Sequence, residues 1–180
     1  MEKLELAKRT AADVHWLATL LTGRPDIASD VTVKAFAPSD DNNAPFSSWM
    51  HRWSRRIVIA NALAAIHSEL DRSARRTAKK RAETSELPPP SWVLDAATTK
   101  KDLEGALLPI DVFPRAAVVL LVFERVPMED AAVLLNSEPD LVRKGLEAGL
   151  VELTINLARM QGWTSGAAQS HSLVTRRQHV

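Results

Sequence analysis

The sequence predicts an all-α protein of two small helical domains joined by a proline-rich linker, and three observations carry that reading. Apolar residues recur at three- and four-residue spacing through most of the chain. The alternation that marks a half-buried strand is almost lacking. Pro88, Pro89 and Pro90 interrupt the helical pattern near the middle, where a helix cannot continue. A chain of 180 residues suits two domains of modest size.

Leu4, Ala7, Ala11, Val14, Ala18 and Leu21 share one side of a first helix, which Gly23 and Pro25 end. Asp26 caps a second, in which Ile27, Val31 and Ala35 step by four until Pro38 and a polar loop over 39–44. Phe46, Trp49, Trp53, Ile57, Ala60 and Ala64 give a third helix an apolar face, leaving Arg52, Arg55 and Arg56 largely on its other sides. Residues 71–83 (DRSARRTAKKRAE) permit a helix but offer it almost nothing to bury, so they read as a frayed end. The boundaries that follow are a first domain at 1–71, a basic and proline-rich linker at 72–92, a second domain at 93–160 and a mobile polar tail at 161–180. The second domain holds helices around Leu94 to Leu108 and Pro114 to Arg125, a short one from Pro127, and a long one from Pro139 to about Met160.

The net charge of +1 conceals blocks. Residues 46–83 hold nine basic and three acidic side chains, a net +6 that suits a polyanion surface, whereas 84–160 hold seven basic and twelve acidic, a net −5. With no cysteine there is neither a disulfide nor a thiolate metal site. The five histidines lack ligand spacing, and no GxGxxG or GxSxG motif occurs. Glu129 and Asp130 stand at a helix start, where the helix dipole explains them without acid–base work. No enzyme chemistry and no cofactor or metal is therefore expected. Met1 to Arg9 mixes charge with apolar residues, which predicts neither a signal peptide nor a membrane span and a cytoplasmic protein.

The most specific local pattern lies in the second half. Ala132 is small enough for close helix contact, Asn136 tolerates the left-handed backbone of a tight turn, and Val142 and Leu146 can pack the following helix back. That spacing fits a helix-turn-helix as well as an ordinary helical hairpin.

From about residue 11 to residue 158 the chain resembles the extracytoplasmic-function sigma factors of the sigma-70 family. Ile27 to Phe36 lies in place of the family's Asp-Ala-Glu-Asp-Leu-Val-Gln-Glu-Thr-Phe stretch, and Phe46 to Arg56 in place of Phe-x-x-Trp-Leu-x-x-Ile-Ala-Arg-Asn. Leu108-Pro109, Arg115 with Leu120, and Glu129 to Ala132 follow the order of the family's fourth region. The resemblance implies a region-2-like helical bundle, then a region-4-like helix-turn-helix. It also implies a transcription initiation protein that binds RNA polymerase core and promoter DNA, at −10 through the first domain and at −35 through the second. Core contact would fall on Asp30, Val33, Lys34 and Phe36, and DNA contact on Arg52, Arg55, Arg56, Arg143 and Lys144. Val33 and Lys34 stand where the family carries Gln-Glu, and Gly145 and Gly149 replace cations of its recognition helix. Arginine at those two glycines is expected to raise DNA affinity and to firm the helix, since glycine costs about 1 kcal/mol in a helix interior. The acidic second domain suits an alternative, a sigma mimic that occupies an anti-sigma factor without reading DNA.

Overall fold

The structure is a computed structural model that describes residues 2–36, 47–80 and 87–164. Among these residues all regular structure is helical: α1 (Glu2–Thr22), α2 (Pro25–Phe36), α3 (Ser47–Ala65), α4 (His67–Lys79), α5 (Lys100–Leu107), α6 (Val112–Val118, continuing as a π turn over Val119–Phe123), α7 (Met128–Leu134) and α8 (Pro139–Met160). No helix among them is long and apolar enough to cross a membrane.

Local chemistry explains most of the boundaries. Gly23, at φ 65°, takes the left-handed position that closes α1. Pro25 then opens α2 as its first residue, so the expected cap Asp26 lies inside the first turn, where its charge suits the helix dipole. Thr99 and Asp102 form a reciprocal capping box at the start of α5. Asp111 caps α6. Pro127 precedes α7 as its cap residue, whereas the sequence had placed it first in the helix.

Two expectations change. The first concerns α3, where among the described side chains Ser54, Val58, Ile59, Ala62 and Leu63 are buried, while Trp53 is 48% exposed and Ala60 and Ala64 face solvent. The buried face is thus nearly opposite the one the aromatic spacing suggested. From Ile57 to Ala65 the helix is apolar almost all round, so periodicity does not fix which side packs. The second concerns residues 72–79, assigned to the linker. They are the body of α4, with Leu70, Ser73 and Thr77 buried and the helix packed on α6 and α8.

α1, α2 and α3 pack on one another, and α6 with α8 forms the centre of the C-terminal half, flanked by α5 and α7. α4 and α1 both reach α6. One cluster of buried apolar side chains consequently runs from Val14 and Leu21 through Leu70 and Phe113 to Val142 and Leu157. Trp16 and Trp92 pack partly buried against it.

Candidate interaction surface

The four residues assigned to core contact sit on α2. Ala28 and Val31 bury the inner side of this helix, and its outer side carries Asp30, Val33 and Lys34 at helical spacing, with Phe36 at the edge. Val33 is 70% and Phe36 41% exposed, so two apolar side chains stand between charges on an outward face. The structure brings these four together.

The residues assigned to DNA are dispersed, and three of them are engaged within the fold. Arg55 lies on the packed side of α3 and forms a two-pronged pair with Glu124, its Nε donating at 2.9 Å to Oε2 and its Nη2 donating to Oε1. Both side chains are largely covered, and the hydrogen bonds to Glu124 raise the guanidinium pKa further, against the opposing effect of burial. Glu124 is delivered by the π turn, where its amide donates to the Val119 carbonyl at 2.9 Å, and Arg125 then takes a left-handed φ of 52° that ends the helix. Arg56 is exposed. The side chain of Arg52 lies outside the described residues.

In the second half a tight left-handed turn joins α7 to α8, as the spacing predicts. Ala132 and Val142 are buried, Asn136 adopts φ 47°, and the Ser137 amide donates back to the Ala132 carbonyl at 3.0 Å, the closing bond of a left-handed helix cap. The chemistry of α8 differs from that of a base reader. Its outward face comprises Asp140, Arg143, Glu147 and Leu150, and Arg143 donates to Asp140 at 2.6 Å. Lys144 donates at 2.9 Å to the Ala78 carbonyl near the end of α4. Gly145 and Gly149 are buried, with α6 so close that a Cβ at Gly149 would lie 2.6 Å from Val118 Cγ2 and 2.7 Å from the Pro114 carbonyl oxygen. Arginine at these positions has no room. The glycines are contact points between helices, which overturns the expectation of a charge-restoring and stabilising substitution.

Sequence reasoning missed the role of Arg115. It is only 4% exposed, and its guanidinium donates to the carbonyls of Leu108 at 2.8 Å, Ile110 at 3.0 Å and Leu21 at 3.4 Å. Burial lowers its pKa, while the charges of Asp111 and Glu69 act against that. An arginine keeps its proton even so, and this one ties the C-terminal end of α1 to the turn before α6. The family resemblance marked the position of Arg115 with Leu120, but an arginine among apolar neighbours gave no sign of which carbonyls it would hold.

No family model, curated protein or solved structure matches this chain.

Proposed function

We propose that this chain is a sigma-like protein-interaction module, with 1–71 corresponding to region 2 and 93–160 to region 4, that offers α2 to a protein of the transcription apparatus and does not read duplex sequence with α8. The observation that carries the reading is the outward face of α8, where two acids stand against one arginine already paired with Asp140. Phosphate neutralisation dominates affinity for DNA, and such a face cannot supply it. The α2 face has what a protein interface needs, apolar Val33 and Phe36 flanked by Asp30 and Lys34.

RNA polymerase core is the partner the family resemblance favours, and an anti-sigma factor is the alternative. A fuller reading, in which the protein also contacts promoter DNA, is favoured by exposed Arg56 and by the left-handed turn at Asn136. The test is co-elution with purified core polymerase. The wild-type protein is expected to co-elute and Val33→Glu to be lost from the complex, because the substitution places charge at the centre of the apolar contact. Failure of the wild type to co-elute, or an unaffected Val33→Glu, rejects core binding through α2.

A further inference from the structure

Among the described residues, α4 carries a row of exposed cations. Arg72, Arg75, Arg76 and Lys79 follow one another at i, i+3, i+4 and i+7, which places them within an arc of about 100° along about 10 Å of helix. All four are exposed, on the side away from buried Leu70, Ser73 and Thr77. Lys80 extends the row, and Lys144 of α8 is drawn to the same end by its bond to Ala78.

The neighbouring acids leave most of this charge uncompensated. Arg76 pairs with Asp111, Lys80 with Glu152, and Asp71 with His67. The charge of Glu69 acts on Arg24 and Arg115. Among the described residues no carboxylate pairs with Arg72, Arg75, Lys79 or Lys144; Arg72 donates only to the Ser68 carbonyl, at 3.1 Å.

We propose that the α4 stripe is a sequence-independent binding site for nucleic-acid phosphates. Arginine presents a planar fork that matches a phosphate's oxygens, and three of the four stripe residues are arginine. The arc holds no apolar side chain, so it lacks the apolar centre of a protein interface, whereas a row of cations meets the phosphate charge that every nucleic-acid sequence carries. The site is independent of the α2 reading and of the turn between α7 and α8, and it lies on residues that the sequence alone assigned to a frayed end within a basic block suited to a polyanion.

Titration of a labelled mixed-sequence duplex between about 50 and 200 mM salt tests the proposal, with helicity and thermal unfolding monitored for every variant. The triple variant Arg72→Gln, Arg75→Gln, Lys79→Gln should bind at least about tenfold more weakly at the low-salt end, and its log–log salt slope should be shallower by about 0.9 for each contact removed. The double variant Arg72→Lys, Arg75→Lys should preserve the slope. Lys101→Gln, which removes an exposed cation on α5, should leave binding unchanged. A wild-type protein that does not bind the duplex, or a folded triple variant that keeps the wild-type slope, overturns the proposal. Tighter binding of polyglutamate than of duplex, lost in the same triple variant, assigns the stripe to an acidic protein and overturns it equally.

Discussion

Gly149 and Arg115 show how single side chains set the spacing of helices in this molecule. At Gly149 a methyl group would press on the Pro114 carbonyl as well as on Val118, and a backbone atom yields less than the end of a flexible side chain. Overpacking costs about 1–3 kcal/mol and outweighs the roughly 1 kcal/mol of helix propensity that alanine contributes. Gly149→Ala should therefore lower stability in urea unfolding, and Gly145→Ala should lower it less, because the atoms nearest the new Cβ there belong to the side chains of Phe113 and Ala117. A more stable Gly149→Ala would refute the close approach of α6 and α8. Arg115→Met should cost on the order of 3–5 kcal/mol, since it strands carbonyls at the end of α1 and before α6. In the sequence both glycines looked like lost cations, and nothing short of the neighbouring helix distinguishes that from a packing contact.

Between elements, charge pairing decides which face of a helix is available. The third helix was legible as a helix but not in phase, because its second half is apolar on almost every side; the packed side is settled by α1 and by the pair of Arg55 with Glu124. Charge reversal Arg55→Glu sets two carboxylates against each other and should destabilise the fold by about 3 kcal/mol, and Glu124→Arg in the same chain should restore much of the loss. A double-mutant cycle measures this, and additive losses would contradict the pairing. Asp111 gives the corresponding pH dependence. Burial raises its pKa, but hydrogen bonds from Arg76, Ser73 and the Val112 amide together hold it below the ordinary carboxylate value. A depressed folded pKa means stability that is present above the unfolded value and lost as pH falls through the folded one. Asp111→Asn, which keeps a capping side chain, should accordingly show a flatter stability profile on acidification below about pH 5. A profile as steep as the wild type's would contradict this.

For the whole molecule, the all-helical class, the long α8 and the left-handed turn at Asn136 were legible because each rests on local signals: period, proline, and a residue that tolerates positive φ. The role of α4 was not, because a helix with one narrow buried edge of Leu70, Ser73 and Thr77 has the composition of a solvated linker. Those small polar residues matter only against α6, where Ser73 Oγ accepts from the Phe113 amide at 2.9 Å, and beside α8, where Lys144 holds Ala78. The consequence is a core shared by both halves, with α4 fixing the phosphate-binding stripe on one side while α2 faces outward elsewhere. Native-state hydrogen exchange of the amides of residues 73–79 tests that arrangement most directly. If α4 is part of the shared core, these amides exchange as slowly as those of α6 and α8, and Gly149→Ala speeds all three together. Exchange of residues 73–79 at the rate of an unprotected chain, while α6 and α8 stay protected, would contradict it and return this stretch to a linker.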